Sequence, residues 1–238
     1  MKGSDHGLME SRLVSSHTKV SFYIGILASV ILLYIGIRHL NDPIEFDRNF
    51  GIKAALEGLF ALIGLHAIDM VRGKKLSLYP KQFAPFRLNT LMRGMIIFAC
   101  VGLVQILMQY VPLKIKAGEM ALAIVFAAPA EEIFFRGVLI SLAIQLGKIL
   151  GKDRARHSGS RLSRMNPFVI AGIILSAMAF MSIHVNYYGY PTLMLTVFAS
   201  GLVLGFFYWY WEDLTACIIA HFLINIILVY QTFWMVSV

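Results

Sequence analysis

Three ionisable side chains, Glu131, Glu132 and Arg136, sit in the stretch AEEIFFRG between the apolar runs EMALAIVFAAP and VLISLAIQL. A charge at the centre of a bilayer costs at least about 2.5–3.5 kcal/mol on the mildest scale, so three in one apolar segment call for a reason. On a helix, positions four apart share a face and adjacent positions diverge by about 100°. Glu132 can therefore pair with Arg136, which offsets part of the cost. Glu131 points elsewhere, and it needs a partner from another helix or a water-filled cavity.

Two further apolar segments offer such partners. FMSIH places Phe180 and His184 four apart, and HFLIN does the same for His221 and Asn225. A carboxylate and two imidazoles around a wet pocket can activate water. An Asn amide can donate to a developing oxyanion. Together these groups describe a hydrolase able to attack an amide. Taken singly, each has a plainer reading. An intramembrane His commonly bonds a neighbouring helix, Glu132–Arg136 is a structural pair, and two Glu can line a proton or cation path. The combination on three separate segments favours chemistry.

The elements that must position these residues are hydrophobic helices. Of the 238 residues, 58% are hydrophobic and 14% charged, against about 25% charged in a soluble domain. The expected fold is all-α: a polytopic transmembrane bundle of about seven spans, with a catalytic core formed by spans four to seven. The spans are read at 21–37, 54–71, 94–111, 120–146, 167–185, 192–210 and 214–236. Residues 1–119 form an N-terminal region of three spans and 120–238 the core. Cys100 and Cys217 lie in apolar runs and read as small hydrophobes. His66 is expected to bond a neighbouring helix, Asp69 to pair with Arg72, and the aromatic run Phe206–Trp211 to form an interfacial belt. Asn186–Pro191 reads as a turn beside His184.

Charge orients the bundle. The net charge of +8 would suggest nucleic acid in a soluble protein, but here the basic residues sit between apolar runs. Residues 1–20, 72–93 and 148–166 hold 15 of the 21 Lys and Arg. The positive-inside rule therefore puts the N-terminus and both basic loops in the cytoplasm. Along the helices, Glu131 lies about 18 Å from Glu119 and His184 about 25 Å from the start of span five, whereas His221 is only about 10 Å beyond Leu214. The mismatch disappears if the short Glu212–Asp213 turn is tucked into the membrane.

These residues resemble a known family. EEIFFR matches Glu-Glu-x-x-x-Arg, FMSIH matches Phe-x-x-x-His and HFLIN matches His-x-x-x-Asn, and Ala128–Ala130 also look like the family. They are the ordered motifs of the CPBP or ABI family, which includes type II (Rce1-like) CAAX prenyl proteases and bacteriocin-processing proteins. The resemblance covers about residues 120–236. It implies an intramembrane endopeptidase in which Glu131 activates water with help from His184. His221 and Asn225 would stabilise the oxyanion, and Glu132, Arg136 and Phe180 would support the site. No cofactor is favoured; zinc, held by Glu131, His184 and His221, is the alternative. The implied partners are membrane lipid and a membrane-associated protein or peptide substrate, not nucleic acid, and the expected location is a prokaryotic cell membrane. A catalytically silent immunity or assembly factor, or a small transporter, are the competing functions.

Overall fold

The structure, a computed structural model, describes residues 58–59, 62–66, 83–108, 127–150, 165–184 and 191–236. The span expected at 21–37 lies outside the described residues, as do Glu57, Asp69, Arg72 and residues 185–190. Among the described residues everything regular is helical. In chain order the elements are α1 (Leu88–Leu107), a π-helical segment π1 (Ile133–Ile140), α2 (Ser141–Leu150), α3 (Pro167–Ser182), α4 (Pro191–Trp211) and α5 (Leu214–Val236). Residues 127–132 are α-helical and run into π1.

Three stretches are long and apolar enough to cross a membrane: Leu88–Leu107, Pro191–Trp211 and Leu214–Gln231, with mean hydropathy of 1.9, 1.7 and 1.9. α3 is a shorter apolar helix of 16 residues. This is a membrane protein. Its outer apolar surface suits lipid: on α1, Met92, Leu103 and Ile106 are exposed while Thr90, Gly94, Ile97 and Val101 form a buried stripe at helical spacing.

The helix starts follow local chemistry. Asn166 caps α3, its Oδ1 accepting from the Val169 N–H at 2.9 Å, and Pro167 stands at the first helical position, where its missing N–H costs nothing. Asp213 caps α5 in the same way, its Oδ1 accepting from the Ala216 N–H at 3.0 Å. Only Glu212 and Asp213 separate α4 from α5, and Glu212 takes a left-handed φ of 50° to turn the chain that sharply.

Small residues let the helices approach closely, as expected where lipid supplies no hydrophobic drive to associate. Gly201 and Gly205 face Ala177 and Ile173, so α3 and α4 run antiparallel. Gly172 meets Ala143, and Gly147 meets Asn166, so α2 and α3 also run antiparallel. Thr215 bonds the Ala84 carbonyl just before α1, and Gly94 lies against Ala216 and Ile219, so α1 and α5 are side by side and parallel. At their shared starting end, Arg93 pairs with buried Asp213 at 3.1 Å and stacks over Trp211.

Several expectations need revision. Span three was placed from Gly94, but α1 begins at Leu88, so Arg93 is a helix residue held by Asp213 rather than a loop charge. The aromatic run does not simply face the interface. Tyr208 and Trp209 are buried, and the Tyr208 hydroxyl bonds Ser141 at 2.7 Å, because the end of α4 packs onto α2 as well as facing outward. The expected interhelical bond of His66 needs no such revision: its Nδ1 donates to the Leu62 carbonyl of its own helix at 2.9 Å, and this is not its whole set of contacts.

Candidate active site

The carboxylates sit where the helix changes its winding. Residues 127–132 are α-helical, and from Ile133 to Ile140 the backbone widens to π-helix, an uncommon form that is often found at functional sites. The sequence predicted an ordinary helix here. Two contacts hold the widened turn: the Ser176 hydroxyl on α3 donates to the Phe135 carbonyl at 2.7 Å, and Gly137 admits Leu65 and Leu214 close to its backbone. A side-chain donor reaching the helix carbonyls is a known cause of such local rewinding.

Around this segment the charges are packed dry. Glu132 and Arg136 are both 0% exposed, and Arg136 Nη1 donates to Glu132 Oε1 at 2.9 Å. The guanidinium also lies over the Phe180 ring, 4.5 Å from its centroid. Among the described residues, Arg136 Nε and Nη2 and Glu132 Oε2 have no hydrogen-bond partner.

His221 on α5 joins the carboxylates to the rest of the site. Its Nδ1 lies 2.8 Å from Glu132 Oε1, and its Nε2 lies 3.8 Å from Glu131 Oε2. A carboxylate can only accept, so Nδ1 carries a proton and Nε2 is the nitrogen turned toward Glu131. The two adjacent glutamates thus converge on one imidazole instead of diverging. The reason is reach: each has three side-chain torsions, and an imidazole presents nitrogens on two edges.

His184 stands just past the end of α3, its Nδ1 donating to the Phe180 carbonyl at 2.8 Å. That bond makes Nδ1 a protonated nitrogen, because a carbonyl oxygen only accepts. Phe180 lies between the two histidines, with ring centroids 4.7 Å from His184 and 5.7 Å from His221.

An open pocket of about 50 Å³ is lined by His184, His221 and Asn225, together with Phe180 and residues of α1 and α4. Neither Glu131 nor Glu132 is among its lining residues; both lie behind His221, and Glu131 keeps 7% of its surface exposed. The structure therefore brings Glu131, Glu132 and Arg136 together with His221 on one side, and His184, His221 and Asn225 together on the other. The depth of His221 is explained by Leu214 lying against Gly137, eleven residues and about 16 Å of helix short of Lys148. The turn before α5 thus stands beside the middle of the glutamate-bearing helix.

A family model described as type II CAAX prenyl endopeptidase Rce1-like matches residues 112–227. That stretch is similar to Rce1-like domains. The motif residues Glu131, Glu132, Arg136, Phe180, His184, His221 and Asn225 all fall inside it. Neither a curated protein nor a solved structure matches the chain.

Among the described residues no three metal-binding side chains are gathered. The Nδ1 atoms of His184 and His221 are both committed, and the Phe180 ring touches both imidazoles. Sequence reasoning also missed part of the pocket. Gln105 on α1 and Thr196 and Ser200 on α4 line it. They are neutral and polar, so they stand out less in an apolar span than a charge does. The four-residue spacing of Thr196, Ser200 and Leu204 was the available signal.

Proposed function

We propose that the protein is an intramembrane endopeptidase that cleaves a peptide bond in a membrane-associated substrate by a glutamate-activated water. The observation that carries this reading is His221, held between two glutamates on one side and opening onto a pocket shared with His184 and Asn225 on the other. Glu131 turns past His221 toward the pocket, where a water gives up its proton to the carboxylate with assistance from the Nε2 of His184. The resulting hydroxide adds to the scissile carbonyl carbon. Asn225 donates to the oxyanion, and His221 joins it through Nε2 when that atom also carries a proton. The proton on Glu131 then passes to the leaving nitrogen as the C–N bond breaks. Glu132 and Arg136 hold His221 in place.

In this reading the bundle has seven spans, the N-terminus and basic loops face the cytoplasm of a prokaryotic cell, and residues 120–238 supply the chemistry. No cofactor is proposed. Lipid surrounds the protein, and the substrate is a membrane-associated protein or peptide.

The test is cleavage of a prenylated CAAX peptide by the full chain in native membranes. Glu131→Gln and His184→Ala are each expected to lose turnover by about 10²–10⁴-fold while inserting normally, the range for loss of a general base. Wild-type rates in Glu131→Gln would remove Glu131 as the base. Strong chelators should leave wild-type turnover intact; loss of turnover restored by zinc would recast Glu131, His184 and His221 as ligands.

A further inference from the structure

The pocket has a wall that the proposed chemistry does not use. Gln105 on α1 is half-buried and lines the pocket, as do Thr196 and Ser200 on α4. The Thr196 hydroxyl is already spent on the Thr192 carbonyl at 3.0 Å. Gln105, Ser200 and Asn225, by contrast, make no hydrogen bond among the described residues. A primary amide at a pocket wall offers a donor and an acceptor together, the complement of a peptide group.

The helix register gives its position along the pocket. Gly94 of α1 lies against Ala216 and Ile219 of α5, and the two helices run parallel. Gln105 is eleven residues beyond Gly94, about 16 Å at 1.5 Å per residue. Asn225 is six to nine residues beyond its α5 partners, about 9–14 Å. Gln105 therefore stands roughly one helical turn further along the pocket than Asn225. An extended peptide advances about 3.3 Å per residue, so one turn corresponds to one or two residues of bound chain.

We propose that Gln105 binds the backbone of the substrate, pairing its side-chain amide with the peptide group one or two residues from the scissile bond. This rests on the endopeptidase reading. The apolar neighbours Val101, Ile224 and Leu228 flank it and receive side chains on either side of that peptide group. Gln105 thus sets which stretch of an extended substrate lies over Asn225 and His221. It does not take part in bond breaking.

The experiment measures binding and turnover separately. A fluorescent prenylated CAAX peptide is titrated into the full chain in lipid nanodiscs, for the wild type, Gln105→Met, Gln105→Asn and Glu131→Gln. Met keeps the length and loses the amide. Gln105→Met is expected to raise both Kd and KM about tenfold, the effect of one lost hydrogen bond of about 1.4 kcal/mol. Its kcat and thermal stability should stay as in the wild type, and Gln105→Asn should recover part of the affinity. N-methylation of the peptide, scanned through the two residues on either side of the scissile bond, should weaken wild-type binding at one position and leave Gln105→Met unaffected there. Equal Kd for wild type and Gln105→Met overturns the assignment of Gln105, as does a fall in kcat alone. Absence of wild-type binding overturns the pocket as the substrate site. Normal turnover by Glu131→Gln overturns the endopeptidase mechanism and leaves the binding result standing.

Discussion

His221 has two unlike neighbourhoods. On one side lie Glu132 and Arg136, both fully buried, locked together at 2.9 Å and pressed against Phe180. On the other lies an open pocket with His184, Asn225 and Gln105. The first is rigid and leaves polar atoms of Arg136 and Glu132 without partners among the described residues. The second is open, and the Gln105 and Asn225 amides on it make no hydrogen bond among the described residues. Polar groups on the packed side orient an imidazole, whereas those on the open side are available to something that arrives. Damage to the two sides should therefore read out differently, as lost stability on one and lost function on the other.

The largest expected effect is on the packed side. Arg136→Ala leaves Glu132 buried without its ion-pair partner, and removing one member of a buried pair typically costs about 3–5 kcal/mol. Thermal unfolding in detergent should show a marked fall. A stable but inactive Arg136→Ala would erase the contrast by placing Arg136 in the chemistry. On the open side, Asn225→Ala should lower kcat by about 10²–10³-fold, the loss for one oxyanion donor, with unfolding unchanged. A stability loss without a kinetic one would move Asn225 to the packed side.

Two smaller changes sharpen the boundary. The Cβ of Gly172→Ala would collide with Ala143, and overpacking of this kind costs about 1–3 kcal/mol. Thermal unfolding should fall by that much, with KM unchanged because the clash lies away from the pocket. Ser176→Ala removes the hydroxyl that bonds the Phe135 carbonyl, at a cost of about 1 kcal/mol. If that bond sustains the wider winding, faster amide hydrogen exchange should appear around residues 133–140. Unchanged exchange there would show that the π-helical turn stands without Ser176.

The long helices were legible in the sequence because apolar length alone specifies them. α5 spans Leu214–Val236 as read, and α4 differs by one residue at each end. α3 ends three residues early, just before the turn that carries His184. The four-residue spacing of Glu132 and Arg136 foretold their contact. Convergence of both glutamates on His221 was hidden, because side-chain torsions rather than helix angles decide it. The π-helical turn was hidden too. Its supports, Ser176 and Leu214, are distant in sequence, and nothing in IFFRGVLI distinguishes it from an α-helix. Gln105 escaped for a different reason: attention to ionisable residues passes over an amide.

The parallel seating of α1 on α5 has a consequence beyond packing. The stretch matched by the family model starts at residue 112, so α1 lies wholly outside it, yet α1 supplies Val101 and Gln105 to the pocket and ties its own Arg93 to Asp213. The groups that would break a bond and part of the surface that would choose which bond are written in different stretches of the chain. Proteins with the same glutamate, histidine and asparagine pattern can then diverge in diet through a neighbouring helix that the pattern never sees. Grafting an α1 from one such protein onto another would exchange appetite while leaving the machinery in place.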